Sequence, residues 1–153
     1  MRPTRAQTEG PYFRRNAPSR ADLATDDPRG ERLRLQGIVV GRDCGPVPGA
    51  IVDLWQTDSA GAYDNAGFRL RGNQLTAANG SFAFETVVPG LYPGRTRHLH
   101  VKIAAPGRPV LTTQLYFPGE PGNATDRIFD ASLVMTVTRS QGVKVGTFTF
   151  VLP

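Results

Sequence analysis

The sequence predicts an all-β protein, an antiparallel β-sandwich with a long irregular N-terminal segment. Apolar residues occur in short runs, several of which alternate with polar residues as they do in half-buried strands. Glycine and proline are frequent, with 17 and 13 residues, and they recur as turn-forming pairs between these runs. No segment shows helical periodicity, and 153 residues suit a single domain with a sizeable core.

The elements follow one another at short intervals after an irregular start. Residues 1–30 are polar and interrupted by prolines, so we predict an N-terminal arm there and a β-sandwich domain over residues 31–153. The predicted strand segments are Leu33–Gln36, Ala50–Gln56, Ser81–Phe84, His98–Ile103, Leu111–Phe117, Ala131–Thr138 and Gly146–Leu152. The turn signals between them include Gly45-Pro46, Pro48-Gly49, Asn79-Gly80, Pro89-Gly90, Pro106-Gly107 and Pro118-Gly119.

Charge and composition exclude several classes of function. The net charge is +5, but the chain has no basic stripe interleaved with aromatics, no zinc finger and no recognition helix, so nucleic acid is not an expected partner. No apolar stretch reaches the ~18 residues of a membrane span. Arginines cluster towards the N-terminus, which indicates either a solvated face or attraction of aromatic carboxylates or a polyphenolic polymer.

The single cysteine and the first residues bear on the compartment. Cys44 has no partner for an internal disulfide, and we expect a free, partly buried thiol. Residues 1–6 lack the apolar segment of a signal peptide. The compartment stays open between the cytoplasm and a secreted protein whose leader has been removed.

A histidine pair, His98-Leu99-His100, is the most informative local pattern because it holds the only two histidines of the chain. Residues two apart in a strand point to the same face, so both imidazoles project together while Leu99 enters the core. Phenol oxygens from Tyr63 and Tyr92 would complete an N2O2 metal site. Two tyrosinates would offset two of three positive charges, which indicates ferric iron. The alternatives are a partly exposed strand pair and two ordinary core or rim tyrosines.

Three motifs containing these residues occur in order along the chain. They are LWQ-x-D-x-x-G-x-Y ending at Tyr63, PG-x-YPGR around Tyr92, and HLH at residues 98–100. Further stretches accompany them at Thr8–Tyr12, Gly37–Asp43, Arg71-Gly72, Asn79–Phe82 and Thr113–Phe117. Together these stretches resemble the intradiol ring-cleavage dioxygenases, the family of catechol and protocatechuate dioxygenases. The resemblance runs from residue 8 to about residue 150, and it implies a prealbumin-like β-sandwich as the catalytic core.

This resemblance implies a non-haem Fe(III) enzyme with one iron per chain. Such an enzyme cleaves catechol-type diols with O2 between the two hydroxyl-bearing carbons, gives cis,cis-muconate derivatives and needs no nicotinamide. The implied metal ligands are Tyr63, Tyr92, His98 and His100. The implied catalytic residues are Tyr92, which would leave the metal and act as a base, together with Arg95 and Gln114. The implied substrate-binding residues are Gly10, Pro11, Tyr12, Trp55 and Arg95, so the arm would contribute to the pocket.

Alternatives to these assignments stay open at this point. Arg97 competes with Arg95, but the strand pattern puts Arg97 on the face of Leu99, so we prefer Arg95. The scaffold motifs also resemble prealbumin-like and carboxypeptidase-regulatory-like modules, which makes a non-enzymatic binding module the alternative function. A zinc hydrolase on the same ligands lacks an obvious carboxylate base. Neither the particular diol (catechol, protocatechuate, hydroxyquinol or a lignin-derived one) nor homo-oligomerisation follows from the sequence.

Overall fold

Eight strands in two four-stranded sheets make up the computed structural model, which describes residues 1–153. The strands are β1 (Arg32–Val40), β2 (Ile51–Trp55), β3 (Arg71–Leu75), β4 (Ser81–Val87), β5 (His98–Ala104), β6 (Leu111–Tyr116), β7 (Thr136–Ser140) and β8 (Val143–Val151). Short 3-10 helices cover Ala24–Asp26, Pro121–Ala124 and Ala131–Leu133. None of the helices is long and apolar enough to cross a membrane.

The two sheets form a sandwich. Sheet I has the strand order β4-β1-β8-β7, and sheet II has the order β3-β2-β5-β6. Five strand pairs are antiparallel, whereas β1 and β8 pair in parallel. The predicted all-β sandwich is confirmed. The parallel pair joins the first and last strands. The alternation of apolar and polar residues within a strand cannot predict such a long-range pairing.

Alternating side chains of both sheets fill the space between them. On β1, Leu33 and Leu35 are fully buried while Arg34 between them is exposed. On β5, Leu99 and Val101 are fully buried in the same apolar cluster. Because successive strand residues point to opposite faces, the histidines of β5 lie on the outer face of sheet II, outside the sandwich core.

The N-terminal arm crosses this outer face of sheet II from one edge to the other. The amide of Gln7 donates to the carbonyl of Thr112 on β6 at 2.9 Å. Farther along, the ring of Phe13 packs against Trp55 of β2 with centroids 4.8 Å apart. At the opposite edge, Asn73 of β3 donates its amide to the carbonyl of Pro18 and accepts from the amide of Arg20. The outer face of sheet II is therefore covered by the chain's own backbone.

Strand β3 is absent from the sequence predictions because it carries no apolar alternation. Its residues Asn73 and Gln74 are polar, yet they are only half-exposed because the arm packs beside them. The side-chain amide of Asn73 donates to the carbonyl of Ala17 at 2.8 Å. Polar residues therefore fit this strand, because backbone groups of the arm form hydrogen bonds with them.

Two other local predictions are wrong in detail. The segment Ala131–Thr138 is not one strand: it begins with a 3-10 helix, and β7 starts only at Thr136. Asp130 stabilises that helix, since its side chain accepts a hydrogen bond from the amide of Ser132. Cys44 is free as expected, but it is exposed rather than partly buried.

Candidate active site

The candidate site lies on the outer face of sheet II, beneath the arm. One cross-strand row there consists of Arg71, Trp55, His100 and Gln114, which are paired neighbours on β3, β2, β5 and β6. All four side chains are buried, although outward-facing residues of a sandwich normally meet water. His98 lies on the same face, paired with Tyr116 of β6. The arm thus encloses a polar layer between itself and the sheet.

Three atoms that can ligate a metal converge in this layer. The Nε2 atoms of His98 and His100 are 3.2 Å apart. The phenol oxygen of Tyr63, on the loop after β2, lies 3.3 Å from Nε2 of His98 and 3.0 Å from Nε2 of His100. No group of three or more His, Cys, Asp or Glu side chains occurs in the structure. Within the protein, a third ligand beside the histidine pair would therefore be a phenol oxygen rather than a carboxylate or a thiolate.

Hydrogen bonding and burial prepare the histidines to donate lone pairs. Nδ1 of His98 donates its proton to the carbonyl of Thr96 at 2.8 Å, which leaves Nε2 unprotonated and facing the site. Burial lowers the pKa of His98 to about 4. The hydrogen bond to Thr96 opposes this shift, whereas the positive charge of Arg95 lowers the pKa further. Burial also lowers the pKa of His100 well below its usual range, and His98 and Arg95 lower it further. Both imidazoles are thus neutral at pH 7, as metal coordination requires.

The protons available cannot satisfy these three atoms together. Burial raises the pKa of Tyr63 well above its ordinary value, although Arg95 opposes that rise, so the phenol keeps its proton without a cation. Nδ1 of His100 is buried and has no hydrogen-bond partner. If that atom carries the proton of His100, only the proton of Tyr63 remains for three mutual contacts. A cation bound by all three atoms would resolve this shortage, and imidazole with phenolate oxygen suits ferric iron.

Tyr92 lies beside this triangle rather than in it. Its ring centroid is 5.6 Å from that of Tyr63. Its hydroxyl group is 2.9 Å from the hydroxyl group of Tyr12, a residue of the arm. Tyr12 in turn stacks on Tyr63, with centroids 4.4 Å apart and the ring planes inclined by 21°. The structure thus groups Tyr63 with both histidines, and it pairs Tyr92 with Tyr12 next to them.

The side chains of the two candidate arginines bind different partners. Arg95 donates from Nη2 to the side-chain oxygen of Gln114 at 2.7 Å and from Nε to Asp126 at 2.8 Å. Arg97 instead pairs with Glu120 at 3.2 Å and donates to the carbonyl of Pro89. Arg95 is therefore the arginine whose charge acts on the histidines, and its contact with Gln114 joins two of the predicted catalytic residues.

Two of the predicted substrate-binding residues, Trp55 and Gly10, lie next to His100. The indole ring of Trp55 stacks on its imidazole at 4.9 Å with nearly parallel planes. Gly10 has a φ of +70°, and a Cβ atom added there would lie 3.7 Å from Cε1 of His100. Pro11 follows Gly10 and is exposed, and Tyr12 comes next. The arm thus passes directly over the imidazole at a residue whose backbone conformation favours glycine.

Sequence reasoning missed two polar residues of this region, Arg71 and Asp126. Burial alone would raise the pKa of Asp126, but hydrogen bonds from Arg95 and from the amides of Thr96 and Ile128 together lower it below the ordinary value. Asp126 lies in a loop where no pattern marks it. Arg71 had a signal, since Arg71-Gly72 is one of the stretches that resemble the dioxygenases. Its place in the site was hidden because β3 itself was not predicted.

Comparisons with known proteins assign the chain to a family. A family model described as Dioxygenase matches residues 8–152. The chain belongs to the intradiol ring-cleavage dioxygenases. Similar members include chlorocatechol 1,2-dioxygenase of Rhodococcus opacus, 29% identical over 77% of this chain and 58% of that protein. Hydroxyquinol 1,2-dioxygenase of Nocardioides simplex is 29% identical over 89% of this chain and 55% of its own length. The chain spans about half the length of these relatives.

Solved structures of dioxygenases superpose on nearly the whole chain. The dioxygenase domain of a dioxygenase–carbohydrate-binding fusion protein from Streptomyces sp. SirexAA-E is 56% identical, with a TM-score of 0.95 and coverage of 99% of this chain and 98% of that one. The 3-chlorocatechol 1,2-dioxygenase of Rhodococcus opacus 1CP is 28% identical, with a TM-score of 0.89 and coverage of 99% and 73%. The resemblance inferred from the motifs and the predicted fold class are both confirmed.

Proposed function

We propose that this intradiol dioxygenase family member is an active non-haem Fe(III) enzyme that cleaves catechol-type diols with O2 to cis,cis-muconate derivatives. One observation carries the proposal: the phenol oxygen of Tyr63 and the two imidazole Nε2 atoms converge within 3.0–3.3 Å of one another. Prealbumin-like binding modules have no reason to bury such a set. Membership of an enzyme family supports the same conclusion.

The four ligands have distinct tasks in this proposal. Tyr63, His98 and His100 would hold one ferric ion per chain, and Tyr92 would be its fourth protein ligand. A ferric ion held by these residues would supply Lewis-acid chemistry that activates a catechol-type diol towards O2 without a reduced cofactor. The bond from His98 to the carbonyl of Thr96 fixes the direction of that ligand.

Tyr92 is the tyrosine best suited to proton transfer. Its hydroxyl group already has a partner outside the histidine triangle, in the hydroxyl group of Tyr12. As a phenolate, Tyr92 would therefore keep a hydrogen bond from Tyr12 while it accepts a proton from the diol. Tyr63 has no such second partner among the hydroxyl groups of the site, so we assign the proton transfer to Tyr92.

Arg95 would stabilise the negative charge that moves onto the ring during the reaction. Its guanidinium stays cationic and is held in one orientation by Gln114 and Asp126. A preorganised charge of this kind acts more strongly on the transition state than on the bound substrate. The arm residues Gly10, Pro11 and Tyr12, with Trp55 beneath them, would line the substrate pocket.

The test combines colour, metal content and product. Purified protein reconstituted with iron should bind one ferric ion per chain and show a visible charge-transfer band from tyrosinate. A panel of catechol, protocatechuate, hydroxyquinol and chlorocatechols should then reveal oxygen uptake equal to the diol consumed, with a muconate-type product. A colourless zinc protein, or a yellow semialdehyde from cleavage beside the diol, would contradict the proposal. Iron-free protein without oxygen uptake would favour the binding-module alternative.

A further inference from the structure

Arg71 is a buried cation that contacts no carboxylate. Its side chain extends from β3, the residue is only 2% exposed, and it forms no salt bridge. Burial lowers the pKa of Arg71, and the nearby charge of Arg14 lowers it further. Burying the charge of an arginine costs free energy unless its N–H groups form hydrogen bonds. The carbonyl groups that accept hydrogen bonds from Arg71 therefore indicate the role of this residue.

The guanidinium of Arg71 joins two backbone segments of the site. Nε and Nη2 donate to the carbonyl of Asp64 at 3.2 and 2.9 Å, and Nη1 donates to the carbonyl of Tyr12. Asp64 directly follows Tyr63, and the rings of Tyr12 and Tyr63 are stacked. One side chain thus ties together the two segments that carry the stacked tyrosines, one in the arm and one in the loop after β2.

Gln114 makes the corresponding contact at the other end of the cross-strand row. Its side-chain nitrogen donates to the carbonyl of Thr8 at 3.0 Å. The arm is therefore held at Thr8 by β6 and at Tyr12 by β3, and Gly10 between them passes over His100. Of these two contacts, only that of Arg71 also reaches the loop of Tyr63, where Arg14 of the arm makes a separate hydrogen bond to the carbonyl of Asn65 at 2.8 Å.

We propose that Arg71 is a positioning residue that locks the arm over the site and fixes Tyr63 at the histidine pair. The proposal about Tyr63 as an iron ligand rests on the proposed function, whereas the locking of the arm does not. An arginine suits this role because its planar fork directs three donors at two carbonyl oxygens. Lysine keeps the charge without the fork, and glutamine keeps a donor without the charge.

The arm is tested first, on metal-free protein. Trypsin cleavage after Arg14 and Arg15 reports release of the arm, because a bound extended segment resists proteolysis. We expect Arg71→Lys and Arg71→Gln to raise the rate of that cleavage by about tenfold or more. Arg69→Gln is the matched control: Arg69 lies on the same segment and donates to the carbonyl of Asp26, but its side chain is 53% exposed. Its cleavage rate should stay within about twofold of the wild type.

The link to Tyr63 is tested by iron binding and colour. Loss of a positioning partner typically weakens metal affinity by about 10–100-fold. Both Arg71 variants should therefore bind Fe(III) that much more weakly, and the tyrosinate charge-transfer band of the loaded protein should move. Arg69→Gln should leave the affinity and the band unchanged. A purely structural role would lower the melting temperature without moving the band of the folded protein.

Each outcome bears on one part of the proposal. Unchanged cleavage in both Arg71 variants overturns the locking of the arm. Faster cleavage with an unchanged band overturns the link to Tyr63. Unfolding of both variants, with Arg69→Gln folded, overturns the positioning role in favour of general stability. If the wild type itself binds no iron, the proposed function fails, and the cleavage rates alone decide whether Arg71 holds the arm.

Discussion

The outer faces of the two sheets differ in what covers them, and that difference separates scaffold from site. The outer face of sheet I meets water: Arg34 and Ile38 of β1 are exposed, and Gln36 between them is half-exposed. The outer face of sheet II lies beneath the arm, so His98, His100 and Gln114 are buried at positions that would otherwise be solvated. Burial is what depresses the pKa values of the histidines and keeps both imidazoles neutral at pH 7.

The best-defined cavity of this molecule does not coincide with the candidate site. The open face of sheet I has a groove of about 730 Å³, lined by residues such as Gln36, Ile38, Thr136 and Thr147. None of its lining residues is ionisable. The ionisable groups of the candidate site instead lie on the covered face of sheet II, where Tyr63, His98 and His100 contact one another. Charge and hydrogen bonding therefore identify the site better than volume does.

The largest effect is expected from outward-facing residues of sheet II. His98→Ala and His100→Ala should each abolish stoichiometric iron binding and the visible band while the fold stays intact, because each removes one of three converging donor atoms. Gln36→Ala, an outward-facing change on sheet I, should alter neither. Metal analysis with circular dichroism provides the measurement. Full iron occupancy in either histidine variant would refute the ligand assignment.

The second-largest effect is expected on the rate of the chemical step rather than on iron binding. Arg95→Ala should retain iron and colour while kcat falls by about 10²–10³-fold, since one preorganised electrostatic partner is lost. Arg97→Ala should be much milder because Arg97 pairs with Glu120, away from Gln114. Steady-state kinetics on the two variants decides between them. A large loss for Arg97→Ala with near-normal kcat for Arg95→Ala would reverse the assignment.

Inward-facing residues should affect stability in both sheets alike. Leu99 on sheet II and Leu35 on sheet I are both fully buried in one core. Replacing either by alanine should cost about 2–5 kcal/mol in the free energy of unfolding, which urea titration measures. Leu99→Ala should still bind one iron per folded chain, although Leu99 lies between the two histidines. Loss of iron from folded Leu99→Ala would mean that the strand period does not separate core from site.

Local periodicity predicts part of this arrangement and misses the rest for a physical reason. The period of a strand is enough to send Leu99 inward and the two histidines outward. It contains nothing about the hydroxyl pair of Tyr12 and Tyr92, whose residues are 80 positions apart. Alternation also does not predict β3, where the buried Arg71 donates to the carbonyl of Tyr12 in the arm. Contacts made by a covering segment follow from tertiary packing, so the motifs of the family supplied candidates that alternation alone did not.

The smallest effect is expected at Asp126, which holds Arg95 without facing the histidine triangle. Its side chain is almost fully buried, and one carboxylate oxygen accepts from both Nε of Arg95 and the amide of Thr96, while the other accepts from Ile128. Asp126→Asn keeps the shape but leaves only one oxygen for three donors. Arg95 then keeps its bonds to Gln114 and Tyr116, while its contact with residue 126 loses the carboxylate charge.

We therefore expect kcat of Asp126→Asn to fall by about tenfold, with KM and iron content little changed, because the guanidinium remains but is less well directed. Glu120→Gln is the matched control, since it removes the carboxylate charge from the neighbouring pair with Arg97. That variant should leave kcat near the wild-type value. If Asp126→Asn lost as much activity as Arg95→Ala, the carboxylate would act in the reaction directly. If it lost none, Gln114 and Tyr116 would be sufficient to orient Arg95, and the buried ion pair would serve stability only.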